Sequence, residues 1–166
     1  MDYKYYERKL NDIIMKCPIE AGVEILVYNV LDNIVEPKGL SLVDINRLWK
    51  DRDPRLTTDA GVPDIAILSS DFQYKTDIGQ VLGFIEVKAT NKSLSETEQI
   101  EGQKSGTKHY IYTNGLVWKY YKNNKFEWEI PLDELKRNLI IKAQTISVSE
   151  NTFKDLLARL NNIIWI

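Results

Sequence analysis

Along the chain, apolar residues first recur at helical spacing and later gather into runs of strand length. Over residues 4–16, Tyr6, Leu10, Ile13 and Ile14 fall on one side of a short helix. Pro18 suits the first turn of a second helix reaching about residue 35, with Ile19, Val23, Leu26, Val27, Val30 and Ile34 as its apolar stripe. Glu36-Pro37-Lys38-Gly39 ends it. Ser41-Leu42-Val43-Asp44 has the form of a capping box with Asp in place of Glu, and predicts a short third helix through Trp49. A polar loop rich in Asp, Arg and Thr follows over 50–61. Residues 62–68 and 81–89 are apolar runs separated by a turn-rich polar stretch, which predicts two antiparallel strands. Residues 95–104 predict a polar helix weakened by Gly102. Strands over 109–113 and 116–121 flank Asn114-Gly115, a strong hairpin signal. A last strand over 126–130 precedes Pro131 and a brief helix. Ser147-Val148-Ser149-Glu150 reads as a second capping box, opening a C-terminal helix to about residue 162. The order predicts an α/β fold with a mixed central sheet flanked by helices, in one domain over residues 1–166.

Composition narrows the chemistry. Apolar residues make up 43% and charged residues 28% of 166 residues, as in a globular domain. A formal net charge of −2 means that any nucleic-acid binding must use a local patch. The only cysteine is Cys17 and the only histidine is His109, so an internal disulfide and a Cys/His zinc site are both excluded. Cys17, beside an apolar helix end, is expected to be a small buried side chain, and His109 a plain strand residue. No run approaches the roughly 18 apolar residues of a membrane span, and the expected setting is the cytoplasm.

Pro63-Asp64 opens the first strand of the pair and Glu86-Val87-Lys88 closes the second. Residues two apart on a strand share a face, so Glu86 and Lys88 point the same way, roughly 6.6 Å apart. In a hairpin, the start of one strand lies beside the end of the other, which brings Asp64 next to them. Two carboxylates so placed repel, and a hard divalent cation relieves the repulsion. Mg²⁺ takes oxygen ligands and often uses only one or two carboxylates. Such an ion activates water and stabilises charge on a phosphoryl group, while Lys88 adds a fixed donor. Carboxylates at solvated strand ends are also common without any such role.

These stretches resemble the PD-(D/E)xK, or restriction-endonuclease-like, superfamily. The likeness rests on Gly61-Val62-Pro63-Asp64-Ile65-Ala66-Ile67-Leu68 and on Phe84-Ile85-Glu86-Val87-Lys88-Ala89. Thr113-Asn114-Gly115-Leu116-Val117-Trp118 adds to it, and looks like the Thr-Asn-Gly-x-x-Trp hairpin of the nuclease domain that begins type I restriction motor subunits. The resemblance implies an Mg²⁺-dependent endonuclease acting on DNA, with Mn²⁺ able to substitute, or else an inactive module of the same fold binding DNA or protein. It implies Asp64, Glu86 and the Val87 carbonyl as metal ligands, and Lys88 as the residue that positions water. A further acid is implied on the helix before the first strand, and Glu20 is favoured over Glu24 because it lies nearer the centre of the apolar stripe. Relatives carry Gln-x-x-x-Tyr on the helix after Glu-x-Lys; here Gln99 and Gln103 are present and the Tyr is not. No phosphate-binding loop is present, so the implied partners are DNA, a second copy of the chain, and a separate ATP-dependent or specificity subunit.

Residues 103–125 contain no acid. Lys104, Lys108, Lys119, Lys122 and Lys125 alternate there with Tyr110, Tyr112, Trp118, Tyr120 and Tyr121, a pattern suited to phosphates and bases or to ordinary strand pairing. Arg47, Arg52 and Arg55 form a second candidate phosphate contact set.

Overall fold

The computed structural model describes residues 1–48 and 52–166. Helix α1 (Tyr3–Lys16) starts at Asp2, whose side chain accepts from the Tyr5 N–H at 2.8 Å, and buries Tyr6, Leu10 and Ile14. Helix α2 (Glu20–Val35) begins two residues after Pro18 and buries Val23, Leu26, Val27, Val30, Leu31 and Val35, together with Glu24. A short 3-10 turn closes it at Gly39.

The capping-box reading of Ser41–Asp44 fails. This segment is strand β1 (Ser41–Asp44), paired antiparallel with β2 (Ile65–Leu68) from Ser41↔Leu68 to Asp44↔Ile65. A ladder along an apolar strand satisfies its backbone groups, and this tertiary pairing outweighs a local cap. Trp49, the end expected for that helix, lies outside the described residues.

Strands β2 and β3 (Val81–Val87) form the expected antiparallel pair. The polar helix is α3 (Glu98–Ser105), capped by Thr97. Its interior Gly102 has a packing reason: a Cβ there would stand 2.4 Å from the Ala60 Cβ. Strands β4 (His109–Thr113), β5 (Val117–Lys122) and β6 (Lys125–Pro131) complete a six-stranded sheet in the order β1-β2-β3-β4-β5-β6. Only β3 and β4 run parallel, and α3 lies in the crossover between them. The result is the expected α/β class, a mixed sheet flanked by helices.

The Asn114-Gly115 turn is heavily tied down. Asn114 Oδ1 accepts from the Leu116 and Val117 N–H groups, and its Nδ2 donates to the carbonyls of Lys92 and Asn138. Gly115 has φ +85°, and a Cβ there would meet Leu10 at 3.0 Å and Val23 at 3.2 Å, so both conformation and space demand glycine. Tyr6 donates to the Gly115 carbonyl and accepts from Trp118 Nε1, which joins α1 to the hairpin.

The brief helix expected directly after Pro131 does not form. Asp133 is 2% exposed and its carboxylate receives the Arg137 guanidinium and backbone N–H, while Lys136 takes φ +55°, which no helix interior allows. Helix α4 (Glu150–Asn161) is capped by Ser149 rather than Ser147, because Val148 is held in a bridge with Asp133. Helix α1 is then clasped to the segment leading into α4: Asn11 exchanges two hydrogen bonds with the Ile146 backbone, and Glu7 accepts from the Val148 N–H at 2.7 Å.

Alternation along the strands makes two apolar layers. Ile65, Ile67, Ile85, Val87, Ile111 and Trp118 pack toward α1, α2 and α4. Ala66, Leu68, Phe84, Tyr110, Tyr112 and Tyr121 pack on the opposite face with Ile100 of α3. Strand periodicity puts Glu86 on this second face, two residues after Phe84. Cys17, expected buried, is exposed at the α1–α2 junction. Among the described residues no helix is long and apolar enough to cross a membrane.

Candidate active site

Asp64 sits just before β2 and is held from both sides. Its backbone N–H donates to the Ile85 carbonyl at 3.1 Å, and its carbonyl accepts from the Ile45 N–H at 2.9 Å. The pairing Ile65↔Ile85, continued by one residue, sets Asp64 opposite Glu86. Both carboxylates are 4% exposed. Asp64 Oδ2 accepts from the Val87 N–H at 2.7 Å, and Lys88 Nζ donates to Glu86 Oε1 at 2.9 Å. The Lys88 backbone N–H is anchored on the Thr113 carbonyl at 2.9 Å, so the hairpin turn positions this residue as well.

The electrostatics follow from burial. Desolvation, then the neighbouring Glu86 charge, pushes the Asp64 carboxyl up to about 8 against the pull of the Val87 N–H. Glu86 is raised too, chiefly by burial, although the Lys88 charge and the Gln103 amide both favour its ionised form. Burial alone would lower the Lys88 ammonium, but the Glu86 charge and hydrogen bond outweigh it and the net shift is upward. Lys88 is therefore a charged donor here, not a free base.

Two helix acids face this pair. Glu24 is buried and Glu20 half-buried, the reverse of the order in which the apolar stripe ranked them. Helix α2 leans on β1 at this point, where Tyr28 donates to the Leu42 carbonyl, and that contact carries Glu24 inward. Burial and the charge of Asp44 lift Glu24 to about 7, while Asn46 donates to its Oε2 at 3.2 Å. The Glu20 charge acts on Asp64, Glu86 and Lys88 alike. Glu24, Asp44, Asn46 and Arg47 line a cleft of about 280 Å³ between α2 and the end of β1, which neither Asp64 nor Glu86 lines. Nothing local in the sequence marks Asp44 and Asn46 for this place, because Ser41–Asp44 has the form of a helix cap and only its pairing with β2 brings them here.

The two glutamines separate cleanly. Gln103 is fully buried beneath Glu86, whereas Gln99 lies on the exposed side of α3 and does not reach the carboxylates. Of the cations proposed for nucleic acid, several are already engaged. Arg55 uses all five N–H groups on Asp53 and on the carbonyls of Gln73, Ile78 and Gly79, and stacks on Phe72. Lys104 is 5% exposed, bonded to Glu96 and Glu101, and lies over the Tyr121 ring. Lys119 is half-buried between the Leu94 carbonyl and Glu129. Of the three, only Arg55 has every N–H engaged; Lys104 is covered by its two glutamates, and Lys119 is held more loosely. Tyr110, Tyr112, Trp118, Tyr120 and Tyr121 are all buried, so the aromatic interleaving is core packing and not a stacking platform. His109 is buried as well, with Nδ1 2.7 Å from the Tyr120 hydroxyl. Lys108, Lys122, Lys125 and Arg47 are exposed, and Arg52 is half-buried.

Among the described residues no three Asp, Glu, His or Cys side chains are grouped as a ready metal cage. The donors that do adjoin are hard oxygens: two carboxylates of raised pKa, with Glu86 Oε2 buried and without a hydrogen bond. That set fits Mg²⁺, which needs few protein ligands.

No protein-family model matches the chain, and no curated protein matches it. Among solved structures, a chain from a cryo-electron microscopy structure of a DrdV–DNA complex has a similar fold. The match covers 97% of this chain and 96% of that chain, with a TM-score of 0.60 and 15% sequence identity. At that identity the likeness is one of fold.

Proposed function

We propose that this chain is a metal-dependent endonuclease that hydrolyses DNA phosphodiester bonds. One observation carries the reading: Asp64 and Glu86 are buried side by side at one end of the sheet, with the Lys88 ammonium on Glu86. Two adjacent buried carboxylates are unfavourable unless a cation compensates them. Asp64, Glu86 and the Val87 carbonyl would hold Mg²⁺ or Mn²⁺, with Glu20 and Glu24 as helix acids beside them. The bound ion supplies Lewis-acid activation of water and offsets negative charge on the phosphate. Lys88, kept charged by Glu86, orients the attacking water and donates to a phosphate oxygen. The water oxygen bonds to phosphorus, the bond to the leaving sugar oxygen breaks, and the released protons pass to solvent and to that oxygen.

DNA as substrate is supported by the fold shared with a chain of the DrdV–DNA complex. Of the cations named for nucleic acid, the exposed Lys108 and the half-buried Arg52 are among those left for phosphates, with Lys108 at the end of β4 away from Glu86. Restriction, other defence against foreign DNA, or repair are the natural settings, in the cytoplasm. A second copy of the chain, or a separate ATP-dependent or specificity subunit, would supply what one small domain lacks.

A second reading is favoured by one observation, the absence of a three-ligand cluster among the described residues. It makes the chain a binding module of the same fold without catalysis. Cleavage of plasmid and single-stranded DNA with Mg²⁺ or Mn²⁺, wild type beside Asp64→Ala, separates the two. Metal-dependent cutting that disappears in the variant is the expected result. Identical background in both proteins would reject the enzyme reading for the isolated chain.

A further inference from the structure

Helix α3 lacks the tyrosine that would complete Gln-x-x-x-Tyr, but the fold brings one to Gln103 from β4. Tyr110 is 1% exposed, and its hydroxyl stands 2.6 Å from Gln103 Oε1. A buried phenol needs an acceptor for its proton, and the Gln103 carbonyl oxygen provides it. That contact fixes the amide, with its oxygen toward Tyr110 and its NH₂ elsewhere. Gln103 Nε2 is buried without a hydrogen bond of ordinary geometry, and so is Glu86 Oε2. The Gln103 amide is close enough to Glu86 to favour its ionised form. A reversed amide would aim a carbonyl oxygen at the carboxylate and set an NH₂ against the phenol.

We infer that Tyr110 is a positioning residue: by holding the Gln103 carbonyl it turns the Gln103 NH₂ toward Glu86 Oε2 and fixes the rotamer of that carboxylate. The inference rests on the reading of Glu86 as a metal ligand. A carboxylate oxygen can coordinate a cation and accept a hydrogen bond together, and such supporting bonds set metal affinity. Tyr110 occupies the position beside β3 where an aromatic ring also fills the second apolar layer, so a purely packing role is the alternative.

Tyr110→Phe removes the hydroxyl and keeps the ring; Gln103→Met keeps the volume and removes the amide. Mn²⁺ dissociation constants would be measured by electron paramagnetic resonance for wild type, both single variants and the double variant. Backbone amide spectra would verify that each protein is folded. Tyr110→Phe is expected to weaken Mn²⁺ binding roughly 3- to 10-fold, and Gln103→Met at least as much. The double variant is expected to be no weaker than Gln103→Met alone, because Tyr110 acts through the glutamine. Independent, multiplying losses would overturn the inference, as would unchanged affinity in Tyr110→Phe. The Gln103 side-chain NH₂ resonances of the metal-free protein give a second readout. Two well-separated proton shifts should move toward those of a free amide in Tyr110→Phe, and identical shifts would again overturn it. If wild type binds no Mn²⁺, the metal-site reading falls, and the amide resonances alone decide whether Tyr110 orients Gln103.

Discussion

A carboxyl that keeps its proton to about pH 8 makes the metal-free protein sensitive to base. Asp64 ionises near 3.8 when unexposed to the fold and near 8 within it. Between those values the native state binds the extra proton, so its stability is greatest at the acidic end and declines as pH rises through the native value. Glu24, raised to about 7, adds to the same decline. Thermal melts in chelator from pH 5 to 8.5 should therefore show a falling midpoint, and Asp64→Asn should flatten the curve. Equal slopes in the two proteins would remove Asp64 as its source. Lys88 acts differently, because its charge is held by Glu86 and serves as a donor. Lys88→Met is expected to reduce cleavage at least ~100-fold while the backbone amide spectrum stays that of the folded chain. Loss of the folded spectrum would instead make the strand end a structural element.

Element by element, the parts legible in the sequence were those governed by local periodicity. The apolar runs over 62–68 and 81–89 contain strands β2 and β3, each shorter than its run, and the Asn114-Gly115 turn forms the hairpin it suggests. Strand period and hairpin pairing also bring Asp64, Glu86 and Lys88 together, so their adjacency could be read without coordinates. Elements fixed by distant partners could not. Ser41–Asp44 carries the residues of a cap but pairs with β2, and the segment after Pro131 folds around Asp133 instead of coiling. Likewise, spacing shows that Lys and Tyr alternate after Gln103 but not which of them the sheet and α3 cover. The meeting of Tyr110 with Gln103 depends on how α3 sits on β4, which no local pattern encodes. Asn114 belongs to the legible part, and its four hydrogen bonds give the turn a measurable weight. Asn114→Ala leaves two N–H groups and two carbonyls without their partner, and should lower the unfolding free energy by about 3 kcal/mol in urea titrations. A change under 1 kcal/mol would show that water replaces the side chain without penalty.

For the molecule as a whole, every sheet neighbour is also a neighbour in chain order, and only the β3–β4 step needs a crossover. The proposed ion at Asp64 and Glu86 would tie the start of β2 to the end of β3, so saturating Mg²⁺ is expected to stabilise the folded chain by about 2.7 kcal/mol at a hundred times its dissociation constant. A melting midpoint indifferent to Mg²⁺ would argue that no ion binds there. The clasp between α1 and the segment before α4 is of another kind, since Asn11 and Ile146 are 135 positions apart and Glu7 and Val148 are 141 apart. Contacts of that span reward the chain only after the sheet between them has largely formed, because loop closure opposes them earlier. Asn11→Ala should therefore act almost wholly on the unfolding limb of a chevron plot, speeding unfolding several-fold while leaving the refolding rate near that of wild type. The clasp in this view is the latch that closes last and opens first, and it sets how long the native state persists rather than how quickly it is reached.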